Sequence, residues 1–164
     1  MRHVRRFNVD LTHCPYSLSL LCRKTLQTLS LVCHLKEHWK QSGPSLVICP
    51  LSVLYSWGNE ATKWAPSLKC LRFHSSQADT LAQQSFEDYD VVITTYEMVS
   101  TGHLSRLWSR QFFNLVVLDE GHRIKCAKTL ISQAVRKLHS ECRIILTGYV
   151  FFQYFIIFAL KRHR

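Results

Sequence analysis

Four short runs of apolar residues recur along the chain, and the stretches between them carry apolar residues at helical spacing. The runs are "SLVICP" (45–50), "YDVVITTY" (89–96), "NLVVLDE" (114–120) and "CRIILTG" (142–148). Continuous apolar runs of this length, rich in β-branched residues, are typical of strands that are covered on both faces. Such strands, alternating with helices, predict an α/β fold with a parallel sheet and helices on both faces.

The intervening stretches predict the helices and one further strand, "LKCLRFH" (68–74). Helical spacing of apolar residues predicts helices over 25–39, 53–64, 79–88, 102–112 and 128–138. Because parallel strands need crossover connections, the loops after the strands gather at the carboxyl edge of the sheet. That edge is where folds of this class bind ligands.

The composition supports one folded domain and excludes several classes of protein. With 164 residues, of which 47% are apolar, the chain is long enough to bury a core. Its net charge of +10 favours a polyanionic partner without separating nucleic acid from an acidic membrane surface. Its seven cysteines include no CxxC pair, which indicates free thiols in a reducing compartment and not a disulfide framework or a zinc site. The N-terminal apolar patch is too weak to predict a signal peptide.

The stretch with most chemistry is "LVVLDEGHRIK" (115–125), in which an apolar strand delivers Asp119 and Glu120 to its carboxyl end. Alternation along a strand turns the two side chains to different faces. One carboxylate can then hold a hydrated magnesium ion while the other orients a water molecule. The alternative is an acidic turn after a strand, without catalytic meaning.

Five sequence motifs, one of which contains this acidic pair, follow one another along the chain. They are "KTLQTLSL" (24–31), "LVICPLSVLYSW" (46–57), "DVVITTYEMV" (90–99), "VVLDEGHRIK" (116–125) and "RIILTG" (143–148). Over residues 24–148 the chain resembles the Swi/Snf-type family of helicase-like, chromatin-remodelling ATPases, with a DEGH form of the family's DEAH box. The resemblance implies the RecA-like first lobe of a two-lobed, DNA-dependent nuclear ATPase that acts on nucleosomes.

The resemblance also implies roles for particular residues, with ATP and Mg²⁺ as cofactors. Lys24 would contact the β- and γ-phosphates, and Thr25 would ligate magnesium. Asp119 would hold that ion through water, Glu120 would activate the attacking water, and His122 would couple the nucleotide site to the third motif. Six residues of two further motifs would lie toward double-stranded DNA: Pro50, Leu51, Ser52, Thr94, Thr95 and Tyr96.

Each of these residue types also has a purely structural interpretation. Lys24 suits a solvated first turn of a helix, and Thr25 suits a helix cap. The pair Thr94 and Thr95 can satisfy backbone groups at a strand end. His122 suits an ordinary turn. The aromatic residues Trp57 and Trp64 are expected in the core and not as platforms for bases.

The chain departs from the family pattern on both sides of the match. Aligned on Lys24, both glycines of the phosphate loop are replaced, by Leu21 and Arg23. Glycine adopts cheaply the backbone angles that turn amides inward around a phosphate, so we expect weak or no ATP binding. After "LTG" the family pattern stops, and the second lobe with its arginine is absent, so we expect no useful turnover. The sequence therefore suggests a truncated or mis-spliced lobe at 23–148 between atypical segments 1–22 and 149–164.

Two alternatives from other classes remain open. The first is a non-catalytic fragment that uses its basic surface to bind DNA or a protein. The second is a tail-anchored membrane fragment, although membrane is not the expected partner. The apolar run from 144 to 160 comprises 17 residues, whereas a spanning helix needs roughly 20.

Overall fold

The computed structural model describes residues 19–38, 43–74, 86–124, 126–146 and 156–158. The described strands are β1 (Ser45–Cys49), β2 (Cys70–Phe73), β3 (Val91–Thr95), β4 (Phe112–Asp119), β5 (His139–Leu146) and β6 (Ile156–Phe158). The described helices are α1 (Ser19–His38), α2 (Leu51–Trp64), α3 (Tyr96–Ser100), α4 (Ser105–Arg110) and α5 (Leu130–Lys137). Single 3₁₀ turns lie at Phe86–Asp88, Gly102–Leu104 and Gly121–Ile124.

The strands form one sheet in the order β2-β3-β1-β4-β5-β6. Strands β1 to β5 are parallel, and β6 pairs antiparallel with the outer edge of β5. The predicted α/β fold with a parallel sheet is therefore confirmed. The short antiparallel strand comes from the segment that the sequence marks as an atypical tail, while the atypical N-terminal segment lies outside the described residues up to position 18.

Helices cover both faces of this sheet, as the continuous apolar runs predict. In β1, Val47 packs on the face covered by α1 and α2, together with Leu29 and Trp57. Leu46 and Ile48 pack on the opposite face, which α3, α4 and α5 cover. Strands β3 and β4 divide their side chains between the two faces in the same alternating way. Two apolar layers thus hold the sheet between them, and the strand ends are left at its edges.

The element boundaries differ from the predictions in three places. Helix α1 begins at Ser19, six residues before the predicted start at 25. Helix α3 was predicted as the end of a strand and a loop. It forms because the Thr95 side chain accepts a hydrogen bond from the Met98 amide (3.4 Å) and so caps a new helix. The predicted helix over 102–112 is a 3₁₀ turn followed by α4, since Phe112 already belongs to β4.

Part of two predictions falls outside the described residues. The predicted helix over 79–88 is described only at its end, where Phe86–Asp88 form a 3₁₀ turn. The apolar run over 144–160 is described at 144–146, the end of β5, and at 156–158, which is β6. Both pieces are strands of the sheet. Among the described residues, no helix has the length and apolar character needed to cross a membrane.

Candidate nucleotide site

The carboxyl ends of the three central strands lie side by side. Cys49 of β1 is in register with Thr95 of β3, and Ile48 of β1 is in register with Leu118 of β4. Because these strands are parallel, the start of α2 after β1, the start of α3 after β3 and Asp119 at the end of β4 share one edge of the sheet. The ligand-binding edge that the fold class predicts therefore carries the acidic pair.

Asp119 is enclosed by hydrogen-bond donors, and only 2% of it is exposed. Its Oδ2 atom accepts a hydrogen bond from the indole Nε1 of Trp57 at 2.9 Å, and its Oδ1 atom accepts one from the amide of Glu120 at 3.0 Å. The hydroxyl of Tyr96 donates to the backbone carbonyl of Asp119 at 2.8 Å. Side chains from α2 and α3 thus fix the end of β4 where the chain leaves the sheet.

Burial raises the pKa of the Asp119 carboxyl above its ordinary value. The hydrogen bond from Trp57, the positive charge of Lys24 and the amide of Glu120 favour the ionised form and lower this pKa, while the Glu120 carboxylate raises it. The environment therefore contains both a penalty for the negative charge and three groups that offset part of it.

Glu120 leaves the strand in a backbone conformation that side chains rarely adopt. Its φ is 51°, the only positive φ among the described non-glycine residues. The next residue, Gly121, lies against β5, since a Cβ atom there would meet Cγ2 of Ile145 at 2.2 Å. Close packing at Gly121 and the positive φ together turn the Glu120 side chain away from the strand direction and into the open part of the edge.

Glu120 joins the other predicted nucleotide residues through an ion pair with Lys24 and a close contact with His122. Its Oε1 atom lies 3.5 Å from Nζ of Lys24, and its Oε2 atom lies 3.3 Å from Nδ1 of His122. The side chains of Lys24, Glu120 and His122 are 20%, 29% and 50% exposed. Residues that are nearly a hundred positions apart in the chain are thus brought together, as the resemblance implies.

The phosphate end of the site is not shaped to hold a nucleotide. Lys24 and Thr25 lie in the second turn of α1, which begins at Ser19. In an α-helix every amide after the first four donates to the carbonyl four residues earlier, so the amides of Lys24 and Thr25 are used by the helix itself. No inward-facing set of amides is therefore available here, and Thr25 is buried. The acidic pair fits the magnesium end of a nucleotide, whereas α1 does not fit its phosphates.

Within the described part of the chain, no group of three or more His, Cys, Asp and Glu side chains is placed to hold a metal ion. The described cysteines Cys33, Cys49, Cys70, Cys126 and Cys142 are free thiols, of which Cys49 is buried and Cys126 is exposed.

The six residues predicted to face DNA separate into two groups. Thr94, Thr95 and Tyr96 are at most 1% exposed. The Thr94 hydroxyl donates to the carbonyl of Phe73 at 2.9 Å, and the Thr95 side chain accepts a hydrogen bond from the Met98 amide at 3.4 Å, as the structural interpretation of this pair expects. Pro50, Leu51 and Ser52 begin α2 at the surface instead, and Leu51 is 51% exposed.

Sequence reasoning missed the contact between Trp57 and Asp119. It assigned Trp57 to the core, which is correct for the ring, but the indole N–H is a buried donor that needs an acceptor. The usable signal was position: Trp57 lies two turns into the helix that follows β1, on the side that faces the sheet. An acceptor at the same sheet edge, such as Asp119, was the natural partner.

Comparison with protein families identifies the class of this lobe. The family model described as "SNF2-related domain" matches residues 22–149. The chain therefore belongs to the SNF2-related domain family, and the predicted family is confirmed.

Individual relatives support the same assignment. The chain is 39% identical over 129 residues to the transcription regulatory protein SNF2 of Saccharomyces cerevisiae, and the match covers 76% of this chain and 8% of that protein. It is 36% identical over 129 residues to the human SWI/SNF-related matrix-associated actin-dependent regulator of chromatin subfamily A member 1, with 76% and 12% covered. The chain thus spans about a tenth of the length of these relatives.

Solved structures agree with the sequence relatives. The Sulfolobus solfataricus SWI2/SNF2 ATPase core in complex with double-stranded DNA superposes with a TM-score of 0.67 at 38% identity, covering 76% of this chain and 25% of that one. The same core domain in a second structure gives a TM-score of 0.63. The RecA-like character of the sheet is therefore shown.

Proposed function

We propose that this chain carries one side of the nucleotide site of a DNA-dependent, chromatin-remodelling ATPase, and that this site is impaired. The observation that supports the proposal is the meeting of Lys24, Glu120 and His122 beside the buried Asp119 at the carboxyl edge. The family places ATP and Mg²⁺ at such an edge. In a remodelling ATPase, hydrolysis at this edge drives movement along DNA.

The acidic side supplies the groups that this chemistry needs. Asp119, fixed by two donors, would hold magnesium through water, and Thr25 would be the second protein ligand if α1 unwound locally. Glu120 would orient the attacking water, and His122 would link it to the following strand. In the described state Glu120 instead pairs with Lys24 (3.5 Å), so the lysine neutralises the carboxylate where phosphate would otherwise lie.

The phosphate side is the impaired part. The glycines that would let the chain turn its amides inward are replaced by Leu21 and Arg23, and α1 continues through both positions. A charged lysine alone offers a point attraction to phosphate, without the set of directed amides. We therefore propose weak ATP binding by this chain. We also propose no turnover by this lobe alone, because the arginine that stabilises the transition state belongs to the second lobe in the family.

Double-stranded DNA and, beyond it, the nucleosome are the proposed partners, and the nucleus is the proposed location. The solved core that superposes on this chain is bound to double-stranded DNA, and the similar proteins are named as chromatin regulators. The predicted DNA-facing residues that lie at the surface are those at the start of α2, namely Pro50, Leu51 and Ser52. It lies at the same edge as the acidic pair.

ATP affinity of five chains tests the proposal, measured by equilibrium binding with Mg²⁺. They are the unmodified chain, Lys24→Ala, the double variant Leu21→Gly/Arg23→Gly, the same double variant with Lys24→Ala, and a control double variant Gln27→Gly/Ser30→Gly. The control places two glycines at exposed positions of the same helix, so it carries the same loss of helix propensity without touching the phosphate loop.

We expect ATP binding only by Leu21→Gly/Arg23→Gly, and we expect Lys24→Ala in that background to remove it. If the unmodified chain binds ATP at micromolar concentrations and Lys24→Ala removes the binding, the site is intact and the proposed impairment is wrong. If no chain binds ATP, including the one with restored glycines, the assignment of this edge to a nucleotide fails.

A non-catalytic DNA-binding role is the second candidate, and it is favoured by the exposed start of α2 and the net charge of +10. Next to this turn, the guanidinium of Arg72 stacks over the exposed ring of Tyr55 at 5.5 Å. Binding through phosphates weakens steeply with salt, with a slope set by the number of contacts. Nucleotide-independent DNA binding with such a slope, lost in Arg72→Glu and kept in Arg110→Glu, supports this candidate.

A further inference from the structure

Trp57, in the middle of α2, reaches the carboxylate of Asp119 at the end of β4. The two residues are 62 positions apart, and Nε1 of the indole lies 2.9 Å from Oδ2. Both residues are 2% exposed. An indole N–H is a donor only, and a buried donor or carboxylate that loses its partner keeps the full cost of its lost hydration. The two groups are therefore held together more firmly than a surface pair.

The ring of Trp57 cannot move independently of α2. It packs in the apolar layer that contains Leu29 of α1 and Leu54 and Ala61 of α2 itself. The neighbouring Gly58 is buried under the Arg72 side chain of β2, whose Cδ would lie 2.5 Å from an added Cβ atom. Helix α2 thus packs on the sheet around Trp57. A shift of the helix would therefore also shift the indole N–H.

The second oxygen of Asp119 extends this link to Glu120. Oδ1 accepts the hydrogen bond of the Glu120 amide, and Glu120 has the unfavourable φ of 51°. A conformation of this kind persists only where its surroundings hold it. If Oδ2 loses Trp57, the carboxylate is free to rotate, and the bond that supports the Glu120 backbone weakens.

We propose that Trp57 is the positioning residue of the acidic pair. Its indole N–H orients the Asp119 carboxylate, and through it the Glu120 backbone, so that the seating of α2 sets the geometry of both acids. The exposed first turn of the same helix carries Leu51 and Ser52. Only the identity of the pair as a nucleotide site rests on the proposed function.

Hydrogen exchange of the Glu120 amide in the unmodified chain and in Trp57→Phe tests the proposal. Phenylalanine keeps an aromatic ring and removes the N–H. Trp108→Phe is the matched control, because Trp108 is also buried (3% exposed) and its Nε1 donates to the Met98 carbonyl at 3.1 Å, away from the acids. Exchange at Val47, in the centre of the sheet, reports global stability in each chain.

We expect exchange at Glu120 to become about tenfold faster in Trp57→Phe relative to Val47, and unchanged on that scale in Trp108→Phe. In an Asp119→Ala background, Trp57→Phe adds nothing, since its effect passes through Asp119. If Glu120 and Val47 change by the same factor in Trp57→Phe, the residue serves general stability only and the proposal is overturned.

A second measurement needs no variant at Trp57. Between the unmodified chain and Asp119→Ala, both of which keep Trp57, we expect the indole N–H resonance of Trp57 to move and that of Trp108 to stay in place. A Trp57 resonance that is insensitive to Asp119→Ala overturns the proposal even if Trp57→Phe does not fold. Neither measurement uses ATP or DNA, so both can be made even if the chain binds neither ligand. A lack of binding would contradict the proposed function and would leave the test of Trp57 unaffected.

Discussion

The interior and the solvent side of the carboxyl edge are held by different kinds of contact. On the interior side, Trp57, Tyr96 and the Glu120 amide donate to Asp119 at 2.8–3.0 Å in a buried setting. On the solvent side, Glu120 lies 3.5 Å from Lys24 in a partly exposed ion pair and 3.3 Å from the imidazole of His122. Buried hydrogen bonds fix geometry, whereas exposed ion pairs contribute little and exchange partners readily. The edge therefore combines a fixed acid with a neighbouring group of charges that a ligand can rearrange.

The largest expected difference between the buried and the exposed side is in the alkylation rates of two cysteines, Cys49 and Cys126. Burial, with smaller contributions from Asp119 and Glu97, raises the pKa of Cys49 to about 12, whereas Cys126 lies on the exposed side. Because the thiolate is the nucleophile, we expect Cys126 to be alkylated at least about a thousandfold faster than Cys49 near neutral pH. In the folded chain the thiolate fraction of Cys49 stays small at neutral pH and rises about tenfold per pH unit up to its raised pKa. Mass spectrometry after a pulse of iodoacetamide measures both rates, and equal rates in the folded chain would show that the interior side is open.

Gly121→Ala tests the close packing that turns the chain after Asp119. The added Cβ atom meets Cγ2 of Ile145 at 2.2 Å, so β5 or the turn must move. We expect a loss of about 2–3 kcal/mol in the free energy of unfolding, measured with urea. Gly102→Ala is the control, since nothing lies within 4 Å of its added Cβ, and we expect a change below about 0.5 kcal/mol. Similar losses in the two variants would contradict the packing argument.

Glu120 carries strain that a glycine relieves. At φ 51°, an L-residue pays roughly 1 kcal/mol that glycine does not. We therefore expect Glu120→Gly to be more stable than Glu120→Ala by about 1 kcal/mol in urea unfolding, although both lose the carboxylate. At Ser109, in the helix α4, the order reverses and alanine is the more stable substitution. If alanine is also preferred at 120, the positive φ is not present in solution.

The ion pair of Lys24 gives the smallest effect. Because both partners are partly exposed, we expect Lys24→Gln to cost a few tenths of a kcal/mol at low salt and nothing measurable at high salt. Lys36→Gln, which removes the pair with Asp90 at 2.7 Å, is a control for an exposed pair away from the site. If Lys24→Gln alone lowered the free energy of unfolding by more than about 2 kcal/mol at every salt concentration, the ion pair of Lys24 would behave as a buried pair and our expectation would be wrong.

The strands and the acidic pair were predictable because each depends on neighbouring residues. The run Leu115–Leu118 is apolar without interruption, and such a run indicates a strand covered on both faces. The resemblance then linked this strand to Lys24, and the structure brings Lys24 to Glu120. The inward orientation of Tyr96 was not predictable from the motif, because it depends on α3, a short helix that forms through a cap at Thr95. The start of α1 at Ser19 was missed because the residues up to 22 show no clear helical period in the sequence.

The sequence by itself determined the alternation of strands and helices, the family, and the loss of the phosphate-loop glycines. These features follow from residue type and spacing along a short stretch. Only the tertiary structure decided that Trp57 meets Asp119, that Glu120 pairs with Lys24 and His122, and that three predicted DNA-facing side chains are buried. Such contacts depend on strand register and on how each helix lies on the sheet. Register and helix seating are set by the packing of the whole core, so no local pattern of residues encodes them.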